Sequence, residues 1–169
     1  MLNNVQPVEI PVKIIEICKE MGFSVYQQDL PENICGYIAI DGELKDRFPT
    51  DRIISVNMHE SNKRRRFTVA HELGHYLFDF EPNNNIQFYN AFETNHSEGE
   101  DRKECIANRF AAEFLMPKEE FIAAYHKVSD KHSNSSEQWY ETVQELSDMF
   151  LVPPKAVEKR IKEELKLNG

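Results

Sequence analysis

The chain has 169 residues, of which 40% are hydrophobic, with eleven Phe and six Tyr, enough for one ordinary domain with a real core. Twenty basic against 29 acidic residues leave a net charge of −9, which opposes general attraction to nucleic acid or anionic lipid and confines any such contact to a local basic face. Cys18, Cys35 and Cys105 are an odd number with no C-x-x-C spacing, so neither a disulfide framework nor a thiolate zinc knuckle is indicated, and no apolar run approaches the ~18 residues that span a bilayer.

The opening "MLNNVQPVEIPVKII" has no basic segment followed by an apolar core, so a cytoplasmic, unexported protein without membrane contact is expected. In "IPVKIIEICKEM" the apolar residues Ile10, Ile14, Ile17, Cys18 and Met21 recur with a helical period, and Gly22 stands as a stop. "FSVYQ", "CGYIAI" and "RIISVN" then read as strands separated by Pro31, Asp41-Gly42 and Pro49, which predicts a small, largely antiparallel sheet.

From Ser61 the pattern becomes a helix of about eighteen residues with Pro82 beyond its end and Asn83 to Asn85 as a loop. Phe67, Ala70, Leu77 and Phe78 are expected to anchor this helix to the sheet. "IQFYNAF" reads as one more strand, and the acidic stretch from Glu93 to Asp101 as a loop that borders a cleft and limits access to it. "ECIANRFAAEFLM" resumes a helix that Pro117 ends, and "KEEFIAAYHKV", "WYETVQELSDMF" and "PKAVEKRIKEEL" follow as three more. A core domain over 1–128 and a helical tail over 129–169 are the expected divisions.

Within the long helix, His71, Glu72 and His75 form an H-E-x-x-H pattern. Residues four apart stand one turn above each other, so both imidazoles can reach one ion, while Glu72 points about 100° away and can touch a water there. Two nitrogen ligands, a carboxylate base and an open position are what hydrolytic zinc chemistry needs. Chance alone produces the pattern in roughly 3% of shuffled chains, so a third ligand is required.

Glu104, 29 residues after His75, is the candidate, and Asn108 one turn later can hydrogen-bond a ligand histidine's second ring nitrogen. Glu113 lies about 180° around that helix from Glu104. Glu100 falls in the acidic loop, and His59, His126 and His132 read as isolated surface residues. Tyr89 and His96 are weak candidates for polarising a substrate. Gly74, inside the motif, costs about 1 kcal/mol against Ala, so close packing against its backbone is expected.

"RRRFTVAHELGHYLF" followed by "ECIANRFAAEFLMP" closely resembles the ImmA/IrrE family of bacterial and phage zinc metallopeptidases, and the looser likeness runs collinearly over about residues 8 to 165. Phe114 stands where the family usually has Leu, and Cys105 and Ile106 at positions that vary. The resemblance implies an α+β, zincin-like metallopeptidase core with a helical, helix-turn-helix-like tail. It also implies His71, His75 and Glu104 as ligands of one Zn2+, with Mn2+ or Fe2+ as alternatives, and Glu72 as general base.

The implied substrate is a helix-turn-helix repressor of the Xre or Cro type, cut to derepress a mobile element or a stress regulon. A rival reading is a metal-containing, non-catalytic binding module of a repressor or toxin-antitoxin pair. Direct DNA contact by the tail is disfavoured, because Leu151, Val152, Val157 and Ile161 have core spacing.

Overall fold

A computed structural model describes residues 8–79 and 98–165, the side chains of 98–101 excepted. Among the described residues the chain is α+β, with six helices and one three-stranded mixed sheet. They divide into two compact units, one within Lys13–Ala112 and the other within Met1–Val12 and Glu113–Gly169.

In the first unit, α1 covers Ile14–Glu20, later than the expected start at Ile10. Pro11 disfavours helical backbone at Ile10, which removes the expected start, and Lys13 is the residue that precedes the first turn. Gly22 ends it in the left-handed region at φ 86, with Gly22 N donating to Lys19 O at 2.9 Å and Phe23 N to Cys18 O at 2.9 Å, a Schellman closure that only a glycine makes without steric cost.

Strands β1 (Ser24–Gln28), β2 (Gly36–Ile40) and β3 (Arg52–Asn57) lie in the order β1-β3-β2. β3 runs antiparallel to β2 but parallel to β1, which corrects the expectation of a largely antiparallel sheet. Its buried run Ile53 to Asn57 explains the central place, since a strand covered on both faces belongs in the middle of a sheet. Asn57 fixes the incoming loop as well, donating from Nδ2 to the carbonyls of Leu30, Pro31 and Ile34 at 3.0, 3.2 and 2.9 Å.

The motif helix α2 (Asn62–Asp79) packs on β2 and β3, and α1 packs on β1 and α2. Gly36 permits that approach: a Cβ there would stand 2.5 Å from Ser55 O and 2.6 Å from Thr68 Cγ2. Gly36→Ala must push β2 away from both β3 and α2, and a loss of about 1–3 kcal/mol is expected in urea unfolding. An unchanged midpoint would show that the strand yields without cost.

Of the stripe expected to anchor α2, Ala70 is buried but Leu77 and Phe78 are exposed, Phe78 meeting the Phe110 ring edge-on at 5.6 Å. Its covered stretch is instead the continuous run Thr68 to His75. α3 spans Glu98–Leu115, so the residues from 98 to 101 expected in a loop are helical, and Glu104 sits in the second turn rather than at the helix start. The proposed strand "IQFYNAF" and the rest of the acidic loop, residues 93–97, lie outside the described residues.

In the second unit, α4 (Lys118–Lys131), α5 (Gln138–Phe150) and α6 (Pro154–Glu164) enclose Phe121, Val128, Leu146, Phe150, Val157 and Ile161. Arg160, one of the tail's cations, is turned inward, with Nη1 2.9 Å from Glu164 Oε1 and Nη2 donating to Met116 O at 3.3 Å. The tail's basic surface is correspondingly smaller than its composition suggests.

Candidate metal centre

His71 and His75 project from the same face of α2, one turn apart and both buried, and their rings meet edge-on with centroids 4.6 Å apart. Glu104 reaches them from α3. The approach of the two helices is set at Gly74, where a Cβ would lie 3.1 Å from both Ala107 Cα and Phe110 Cδ1, the close packing expected at that position.

Glu104 Oε2 stands 3.1 Å from His71 Nε2, Glu104 Oε1 stands 3.0 Å from His75 Nε2, and the two Nε2 atoms are 3.0 Å apart. These three residues form the one group of its kind among the described residues, their ligand atoms all within 4.8 Å of one another.

The other ring nitrogens decide what such a cluster wants. His71 Nδ1 lies 3.2 Å from Asn108 Oδ1, and His75 Nδ1 lies 2.9 Å from Asp79 Oδ2, acceptors that suit the tautomer with the proton on Nδ1. Both Nε2 atoms then offer lone pairs to the same point as a carboxylate. Three acceptors converging without a donor between them are held together best by a cation, and two imidazoles with one carboxylate are a donor set that suits zinc.

Without a cation the protons compensate in part. Burial raises the Glu104 carboxyl, yet hydrogen bonds and charge from His71 and His75 outweigh it and bring it down to about 2. Burial lowers His75, but Glu104 and Asp79 more than reverse this and leave it above its usual value.

Glu72 differs from all of these. It is fully buried, and neither carboxylate oxygen has a hydrogen-bond partner. Burial, then the charge of Glu104, pushes its carboxyl well above the usual range, and the backbone N–H of Ile38, too poorly placed for a full hydrogen bond, lowers it only in part. A recess of about 20 Å³, room for about one water, opens beside His71 and is lined also by Arg64, Phe67, Thr68 and Asn108.

The structure thus brings together His71, His75, Glu104 and Asn108. Tyr89 and His96 lie outside the described residues. Glu113 belongs to the second unit, where it pairs with Arg160 at 3.8 Å. His59 faces Asp29 at 2.8 Å, and His132 lies between Glu141 and Glu145.

Asp79 was not foreseen from the sequence. Its signal is simple: it follows His75 by four residues, the spacing that lets a carboxylate hold the outer nitrogen of a ligand histidine. Asp79→Asn is expected to weaken metal affinity about 10- to 100-fold in competition with a chelating dye, and an unaltered affinity would leave Asp79 without a role there.

Residues 18–162 match a family model described as Peptidase_M78, IrrE N-terminal-like domain. Seven solved chains match, among them a Mycobacterium tuberculosis transcriptional regulator at TM-score 0.57 and 18% identity, a likeness of fold covering 88% of this chain and 40% of that one. This chain therefore spans two fifths of that regulator's length. No curated protein matches the chain.

Proposed function

The chain belongs to the Peptidase_M78 family of IrrE N-terminal-like domains, and from that membership we propose that it is a zinc-dependent endopeptidase that cuts a specific regulatory protein. The observation that carries the proposal is the convergence of His71, His75 and Glu104 beside a buried, unpartnered Glu72. His71, His75 and Glu104 would hold the ion, with Mn2+ and Fe2+ as competitors for the same donors. Asn108 and Asp79 fix the two imidazoles by their outer nitrogens.

When bound, the metal supplies Lewis acidity, lowering the pKa of water and polarising a carbonyl. Glu72 is the residue we assign to the proton work. A carboxylate kept from solvent and from donors is a stronger base than one in water, so it accepts the proton of the attacking water on one oxygen and hands it to the leaving amine. Its place between the two histidines in sequence turns it aside from their shared point, which leaves it free for that transfer.

The substrate we infer is a helix-turn-helix repressor of the Xre or Cro type, supported by the likeness of the two motif blocks to the ImmA/IrrE family. The zincin-like core, the helix-turn-helix-like character of α5 and α6 and their use in docking belong to the same proposal. No helix among the described residues is long and apolar enough to cross a membrane, consistent with the cytoplasmic place such a substrate requires.

The test is to incubate the zinc-loaded protein with the helix-turn-helix repressor encoded beside its own gene and to read both by intact mass. One discrete cut supports the proposal. An intact repressor held in a stable complex would replace it with the metal-containing binding module.

A further inference from the structure

His132, which the sequence presents as an isolated surface residue, closes α4 in the second unit and is held between two carboxylates of α5. Its Nε2 lies 2.8 Å from Glu145 Oε2 and its Nδ1 lies 3.3 Å from Glu141 Oε2, with only 18% of the side chain exposed. Glu141 and Glu145 stand one turn apart on the same face of α5, so one ring spans both.

The two edges of the ring set a condition on its charge. A neutral imidazole has one N–H and one lone pair, so it can donate to one of these carboxylates and must turn its lone pair toward the other. With the proton on Nε2, where Glu145 is at hydrogen-bond distance, the bare Nδ1 faces Glu141 Oε2, which is buried and has no hydrogen-bond partner. An imidazolium carries a proton on each side and attracts both.

The surroundings favour that charged form. His132 is the C-cap of α4, where the last carbonyls leave partial negative charge. Lys131 pairs with Glu145, Nζ 2.8 Å from Oε2, and it and then His132 hold the Glu145 carboxyl below its usual range. Against two carboxylates Lys131 alone leaves one negative charge unbalanced, and the imidazolium balances it. The charged side chains of α6, which packs on both helices, form no ion pair with any of these four among the described residues.

We propose that His132 is a proton-operated latch: its imidazolium ties α4 to α5 through Glu141 and Glu145, and release of one proton to solvent frees Glu141 and loosens the pairing of the two helices. Imidazoles ordinarily exchange that proton near pH ~6.5, so the latch works in the range cells use. A proton that the folded state favours adds stability at low pH, and the addition fades as the pH rises. The latch does not depend on the metal centre or on the peptidase reading.

The test is nitrogen-15 NMR of the histidine rings in the full chain, with amide hydrogen exchange of α4 and α5, in wild type, Glu141→Gln and His132→Gln. At about pH 7 the doubly protonated fraction of His132 should fall about threefold in Glu141→Gln, because a neutral amide does not attract the second proton. In His132→Gln, exchange along α4 and α5 should quicken about fivefold at about pH 6 and less than about twofold at about pH 8.5. Glu141 is well exposed, so its variant keeps the test valid if His132→Gln fails to fold. A doubly protonated fraction equal in wild type and Glu141→Gln, or exchange quickened equally at both pH values, overturns the latch.

Discussion

Glu72→Gln is expected to slow cleavage roughly 10²- to 10⁴-fold while the protein still carries one metal ion. The two halves of that outcome come from one geometry. The carboxylate is fully buried beside the histidines, yet the atoms that converge for a metal belong to His71, His75 and Glu104. Glutamine keeps the shape and loses the base.

The same substitution removes a buried group that is costly when ionised, because neither oxygen has a hydrogen-bond partner. The metal-free variant should accordingly melt above the metal-free wild type, an outcome that separates a functional carboxylate from a structural one. Cleavage at the wild-type rate, or loss of the metal, would remove Glu72 from the mechanism. A lower melting temperature would show that the carboxylate stabilises the fold.

His75→Ala should abolish stoichiometric zinc binding. His75 is fully buried, gives one of the three converging atoms and is held from behind by Asp79 at 2.9 Å, so no neighbouring side chain can take its place without repacking α2. A ligand present at ~1,000 times its dissociation constant stabilises a fold by about 4 kcal/mol, which for a chain of this size is on the order of 10 °C in melting temperature. Wild type should lose that increment on adding a chelator, and His75→Ala should be indifferent to it. A variant as sensitive to chelator as the wild type would place the ion elsewhere.

The parts of the molecule most legible in the sequence are those where short-range chemistry acts alone. The start of α2 at Asn62 follows from Ser61, whose Oγ accepts from Arg64 N at 3.2 Å, a serine cap ahead of a long helix. β3 coincides with the β-branched run Arg52 to Asn57, and the convergence of His71, His75, Glu104 and Asn108 follows from four-residue spacings on two helices. Gly74 signalled a close approach because a glycine inside a helix has a cost that some contact must offset.

What escaped depends on partners far along the chain. β1 pairs parallel with β3 rather than with its sequence neighbour β2, and nothing local distinguishes a strand that leaves a place for a later one. The exposure of Leu77 and Phe78 could not be read from helical periodicity, because α2 is covered all round between Thr68 and His75 and its apolar period carries little information there. The first turns of α3 were hidden by acidic composition, which reads as loop although Asp and Glu suit a helix N-terminus. Asp79 is the local exception: it stands four residues from His75, and only the need of an imidazole's outer nitrogen for a partner singles it out.

X-ray absorption at the zinc edge tests the central claim, one ion held by His71, His75 and Glu104, most directly. The account predicts a first shell of nitrogen and oxygen only, with the outer-shell scattering of two imidazoles, and its disappearance in His75→Ala. A sulfur in the first shell, most simply from the exposed Cys105 beside Glu104, would contradict it.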